Sequence, residues 1–188
     1  MRKLKLQMQM SLDGFVSTGP DDEQKWVTWA LDDIYPHVME LLDSVDTILI
    51  GRKLAIDYIP YWQEVVTKPD DPMHGFAQRI VAAKKVVFTK TLAKSEWENT
   101  ELAKGDLAEE IKRLKSQKGK DIIVYGGSSF VSSLVKAELI DEFHFLVNPV
   151  ALGKGDSIFD KLDTFRQLKL KTSIVYDSGI VMLNYEPR

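Results

Sequence analysis

The 188-residue chain contains no cysteine. That excludes disulfides, thiol nucleophiles and cysteine-ligated zinc or iron–sulfur centres. Histidine is scarce: the three present, His37, His74 and His144, show no metal-ligand spacing, so no metal site is expected. No apolar run approaches the ~18 residues that a membrane-spanning helix needs. The first ten residues alternate instead of forming an apolar block, which speaks against a secretory leader. A basic excess is also missing. Lys and Arg number 25 against 28 Asp and Glu, for a net charge of -3. No bulk positive field therefore draws the chain to nucleic acid or to an anionic membrane. Gly-x-Ser-x-Gly, a Walker loop and His-Glu-x-x-His do not occur, so hydrolase and metalloenzyme chemistry lack support. What is present is ordinary globular material, 44% hydrophobic and 28% charged, enough to bury a core without staples. These traits predict one domain over residues 1–188 in the cytoplasm, acting on a small molecule.

Periodicity orders the chain. Leu4, Leu6, Met8 and Met10 alternate with Lys5, Gln7 and Gln9, the period of a half-buried strand. Val38, Leu41, Leu42 and Val45 line one face of a helix, with Pro36 expected in its first turn. Thr47 to Ile50, Val86 to Phe88 and Ile122 to Tyr125 are apolar runs suited to strands covered on both faces. Asp106 is placed to cap a helix, with Glu109 in capping-box register. Glu142 to Val147 alternates again. Leu168 to Val175 and Ile180 to Tyr185 read as a hairpin turning at Asp177-Ser178-Gly179. Strands alternating with helices and closing on a hairpin predict an α/β fold, a mostly parallel central sheet with a C-terminal antiparallel hairpin.

Three strand ends carry chemistry. After Val124-Tyr125 come Gly126, Gly127, Ser128 and Ser129 at the start of a helix. Two glycines let a phosphate approach the backbone, and a helix start offers free N–H groups. A tight turn that needs glycine only for its dihedrals explains the same residues. Gly51, Arg52 and Lys53 end a second strand, where an arginine fork suits phosphate oxygens. A solvated basic turn is the alternative. Thr89 and Lys90 end a third and offer a hydroxyl and a cation, or simply a surface loop. Convergence favours the ligand, because open α/β sheets bind at the carboxyl ends of their strands. Asp13, in Ser11-Leu12-Asp13-Gly14, is either a substrate-facing carboxylate or a turn residue. Asp32 and Asp33 precede the first helix as substrate carboxylates or caps. Trp26, Trp29, Tyr58, Tyr61 and Trp62 can stack on a flat heterocycle or merely pack.

Together, Met10 to Gly14, Ile50-Gly51-Arg52, Val86 to Thr89, Val124 to Gly127, Leu139 to Phe143 and Pro149 to Gly155 resemble the dihydrofolate-reductase-like three-layer fold. More narrowly, they resemble the C-terminal reductase domain of the bifunctional riboflavin-biosynthesis deaminase/reductase. The resemblance covers nearly the whole chain, and the proline-to-glycine loop is its most specific part. It implies NADPH as cofactor and a homodimer. By position, Gly51, Arg52 and Lys53 would meet the adenosine phosphates. Thr89 and Lys90 would lie near the 2′-phosphate, and Gly126 to Ser129 would hold the pyrophosphate. Asp13, the candidate catalytic residue, would face nicotinamide and substrate. The implied reaction is reduction of 5-amino-6-(5-phosphoribosylamino)uracil. The alternatives are reduction of a pterin or other small heterocycle, or NADPH or nucleotide binding without turnover. Leu54 stands where many relatives carry a phosphate-contacting threonine. Asp32 and Asp33 match only approximately the carboxylate that holds a pteridine, which argues against folate. The zinc-bearing deaminase partner, which needs cysteines, has no counterpart here.

Overall fold

The computed structural model describes residues 1–188. Its elements are β1 (Leu4–Ser11), α1 (Leu31–Asp43), β2 (Val45–Gly51), α2 (Arg52–Val65), α3 (His74–Ala82), β3 (Lys84–Phe88), β4 (Thr100–Ala103), α4 (Leu107–Ser116), β5 (Asp121–Gly126), α5 (Ser128–Lys136), β6 (Glu142–Asn148), β7 (Leu168–Val175) and β8 (Val181–Pro187). The protein is α/β, its strands mostly parallel and its C-terminal pair an antiparallel hairpin. The chain divides into two compact units, one of residues 1–2 and 37–127 and one of residues 3–36 and 128–188. No helix is long and apolar enough to cross a membrane.

In the first unit the strand order is β4-β3-β2-β5, all parallel. Ile48, Leu49, Ile50, Val86, Val87, Ile122, Ile123 and Val124 are fully buried. Consecutive residues point to opposite faces, so uninterrupted burial means cover on both faces, as the apolar runs predict. Each such side chain stabilises the fold by roughly 1.5–3 kcal/mol relative to exposure. Asp106 caps α4 as expected, accepting from the backbone N–H groups of Ala108 and Glu109. The reciprocal carboxylate is not Glu109: Glu110 Oε1 accepts from Gly105 N at 3.3 Å, one residue outside the box pattern.

In the second unit β1 runs parallel to β6, and β8 lies antiparallel to both β6 and β7. The half-buried reading of β1 needs correction. Lys5 and Gln7 are 8% exposed, so the polar face of the strand is covered as well. Alternation shows that two faces differ in polarity, not that one is wet. Among the buried polar groups beside it, Asn148 of β6 donates to Gln9 Oε1 at 2.9 Å and accepts from Thr28 N at 2.7 Å. The expected hairpin is present, with Gly179 at φ 85° in its turn. Pro36 needs a second correction. The helix starts at Leu31, so the proline sits beyond the first turn.

Candidate active site

The first unit brings three predicted strand ends side by side. Gly51 is aligned with Phe88, and Ile50 with Gly126. Gly51, the Thr89-Lys90 pair and Gly126-Gly127 therefore occupy the same rim of one parallel sheet. Gly51 is the N-cap of α2, with no side-chain cap and no acid in the first turn. The first N–H groups of that helix are unsatisfied by the helix itself and carry its positive dipole end. Arg52 and Lys53 open the helix and add full charges. Lys90 is exposed, and the hydroxyl of buried Thr89 accepts from the N–H groups of Thr91 and Leu92, both at 3.1 Å. That turn fixes where Lys90 leaves the strand, while the Thr89 O–H stays available to donate. At Gly127 an added Cβ would meet nothing within 4 Å. The rim there is open, not filled by the protein's own side chains.

The second unit holds Asp13, Ser128 and Ser129. Asp13 accepts from Ser11 Oγ at 2.7 Å, Leu152 N at 3.0 Å and Gly153 N at 2.6 Å. The Ser11 hydroxyl, followed by the two backbone amides, pulls its pKa down to about 2. The carboxylate is thus ionised at neutral pH, able to accept hydrogen bonds or offset positive charge but with no proton to give. The depressed pKa also contributes to the acid limb of stability. Asp13 contributes fully above its ordinary value of 3.8, and the contribution is lost as pH falls toward about 2. Asp13→Asn is expected to flatten the fall of the melting temperature between those two values. Melts at stepped pH check this, and an unchanged slope would speak against it.

The serines that start α5 are bound to a loop that spacing does not reveal. Ser128 Oγ donates to Asp156 Oδ2 at 3.1 Å, and Ser132 Oγ donates to Asp160. Lys161 Nζ donates to Ser129 O at 2.8 Å and Ser133 Oγ at 2.9 Å. Lys136 pairs with Asp163 at 2.9 Å. Residues 156–163 are therefore laced along one side of the helix. The residues leading into it are held to the first strand's turn, where Asp13 accepts from Leu152 N and Gly153 N and the Ser17 carbonyl accepts from Asp156 N at 2.9 Å. Asp33 accepts from Ser178 N at 3.0 Å and so braces the hairpin turn; Asp32 makes no such bond. Of the aromatics named above, Trp29 is 55% exposed and Tyr61 equally so.

Comparison with known proteins follows the geometry. The family model described as the RibD C-terminal domain matches residues 2–182. The uncharacterised protein YyaP of Bacillus subtilis (strain 168) is 32% identical over 187 residues, covering 98% of this chain and 94% of YyaP. A structure described as a putative riboflavin biosynthesis protein from Shewanella sp. PV-4 superposes with a TM-score of 0.73 at 20% identity, covering 99% of each chain. The Thermotoga maritima deaminase/5-amino-6-(5-phosphoribosylamino)uracil reductase gives 0.71 at 19% identity; all of this chain spans 57% of that one. Dihydrofolate reductase from Enterococcus faecalis, complexed with NADP(H), gives 0.61 at 14%, covering 99% of this chain and 96% of that one.

Proposed function

The chain belongs to the RibD C-terminal domain family, and from that premise we propose that it is an NADPH-dependent reductase of a small polar heterocycle, of the kind that reduces 5-amino-6-(5-phosphoribosylamino)uracil. The observation that carries this reading is the open rim of the first unit. It has an uncapped helix start at Gly51, the cations Arg52, Lys53 and Lys90, and clear space at Gly127. These fit a phosphate-bearing dinucleotide, because amide donors at a helix start and a glycine-opened backbone are what phosphate oxygens need. Gly51, Arg52, Lys53, Thr89, Lys90, Gly126 and Gly127 would hold NADPH, with Ser128 and Ser129 next along the chain. When bound, NADPH supplies a hydride. The protein's part is to place donor and acceptor and to stabilise charge. Asp13, ionised, suits an electron-poor carbon such as that of an iminium, whose positive charge a carboxylate offsets; the proton that turns the imine into the iminium comes from water, and hydride addition then gives the neutral amine. A second reading, cofactor binding without turnover, draws on the same residue, because its three donors leave no acid.

Gly127→Ala tests the reading. Its Cβ meets open space, so folding and the melting temperature should be unchanged. NADPH affinity, followed by tryptophan fluorescence and calorimetry, should fall about 10-fold or more, since even one methyl group in a close contact is costly. If the glycines serve the turn alone, the variant binds NADPH as the parent does. Oxidation of NADPH with ribosylaminopyrimidine and pterin acceptors then separates turnover from mere binding.

A further inference from the structure

A cavity of about 480 Å³ lies in the second unit, at the opposite end of β6 from the Asp13 turn. Phe143, on its wall, is the second residue of β6, and Asn148 is the last. The chain just beyond Asn148 meets the Asp13 turn, where Leu12 N donates to Val150 O at 2.7 Å. Five residues of strand, about 17 Å, separate the two places. The candidate active site makes no use of this cavity. Its wall is apolar, built from Val135, Ile140, Phe143, Phe159 and Leu162. Phe145 braces the two rings, with its centroid 5.8 Å from that of Phe143 and 6.2 Å from that of Phe159. The volume is that of small-molecule sites, which are mostly apolar with a few placed polar groups.

The polar groups stand at its mouth. Phe165 is 80% exposed there. Arg166 follows it, and its guanidinium pairs with Glu138 Oε1 at 2.6 Å. Glu138 is the one acidic side chain on the border, beside the cations Arg166 and Arg188. It sits where the backbone disfavours it. α5 ends with Glu138 N donating to Val135 O and Leu139 N to Leu134 O, both at 3.1 Å. That is the Schellman pattern, in which the residue at Glu138's place is usually glycine. Glu138 holds φ 56°, a left-handed conformation that is unfavourable for any residue with a Cβ. Its ion pair offsets little of this, since the Glu138 side chain is 65% exposed and solvent screens such pairs. Disfavoured backbone positions of this kind cluster at ligand clamps. A carboxylate kept at a glycine position, on the lip of an apolar cavity, calls for a partner besides Arg166.

We propose that this cavity binds a zwitterion with a large apolar side chain, an α-amino acid such as phenylalanine. The side chain fills the space between the rings. The ligand carboxylate takes the Arg166 fork and its ammonium takes Glu138, so two charge pairs replace one. The exposed Arg166–Glu138 pair opens at little loss. A monocarboxylate or a monoamine meets only one of the two charges and leaves the other unmatched. The site stands independently of the reductase reading.

The test uses the full chain and L-phenylalanine, with phenylacetate and phenethylamine as single-charge probes, followed by calorimetry and ligand-observed NMR. Phenylalanine should bind saturably. Each single-charge probe should bind about 10-fold more weakly or worse, because one charge-assisted hydrogen bond is lost. Arg166→Gln and Glu138→Gly should each weaken phenylalanine by a similar factor. Glu138→Gly carries a second signature. It puts the preferred residue at the left-handed position, so the ligand-free melting temperature should hold or rise, by up to roughly 2–4 °C, while binding falls. NADPH titrations should be unaltered in both variants. No saturable binding of phenylalanine, equal affinity in parent and variants, or a single-charge probe that binds as tightly overturns the proposal. So does a dimer in sedimentation that Phe165→Ser splits, because a second copy then closes the mouth. The two substitutions lie on different segments, so either decides alone if the other fails to fold. A parent that binds phenylalanine in this way but not NADPH would sink the reductase reading and leave this site standing.

Discussion

Arg52→Ala combined with Lys90→Ala is expected to weaken NADPH binding about 100-fold or more, because each cation lost removes a charge-assisted hydrogen bond of roughly 1.5–3 kcal/mol. NADH, which lacks the 2′-phosphate, should lose far less. The geometry supports pairing these two positions. Gly51 and Phe88 are in register on neighbouring strands, so the residues that follow, Arg52 and Thr89-Lys90, leave the sheet from the same rim. Neither cation has a carboxylate partner to compete with a phosphate. Both are solvent-accessible, so added salt should narrow the gap between the two coenzymes. Equal losses for NADPH and NADH would count against the 2′-phosphate assignment while leaving the glycine rim untouched.

The second large effect is on stability. Gly155 has φ +155°, and a Cβ placed there would lie 2.1 Å from the carbonyl oxygen of Ser17. That oxygen is half of a two-bond bridge, in which Val16 N donates to Asp156 O and Asp156 N to Ser17 O, both at 2.9 Å. Alanine at 155 must push the two segments apart and break the bridge. The expected loss is about 3 kcal/mol, since a backbone clash and both bridge bonds fail together, or roughly 6–12 °C in melting temperature for a chain of this size. Gly153→Ala is the control. Its φ is +73°, but nothing lies within 4 Å, so only the left-handed backbone penalty of about 1 kcal/mol applies. Equal shifts for the two variants would show that the close approach to Ser17 does not decide stability.

Sequence alone located the elements whose signal is local. Ile48 to Ile50 and Ile122 to Val124 are apolar without interruption because both faces are covered. Asp106 caps because its side chain reaches N–H groups two and three residues on. β4 escaped notice. Thr100 to Ala103 is a four-residue edge strand without period, and it exists through its pairing with β3. The start of α1 was hidden as well, since Pro36 reads as a helix opening while Leu31 carries no stronger mark. In the candidate site, the glycines and cations announce themselves by type and order. The state of Asp13 does so only in part: the Ser11 hydroxyl that lowers its pKa most is two residues away, but the amides at 152 and 153 that add to it are about 140 residues away. Nor do the partners of Ser128 and Ser129, which come from a loop about 30 residues on. Tyr125 reads as one more strand residue, because the bulge that its register with β2 reveals is a property of two strands and not of one.

The lacing of residues 156–163 to α5 also bears on how this stretch can change length. Connections between elements usually tolerate insertions with little penalty. Here Asp156 and Asp160 meet Ser128 and Ser132, so the loop keeps step with the turns of the helix over 28 residues of separation. One extra residue between 156 and 160 would slip the later contacts out of phase and strand the Lys161 ammonium beside the wrong hydroxyl. Deletions and duplications that an ordinary surface segment absorbs should therefore be tolerated after Asp163, and hardly at all between Asp156 and Asp163.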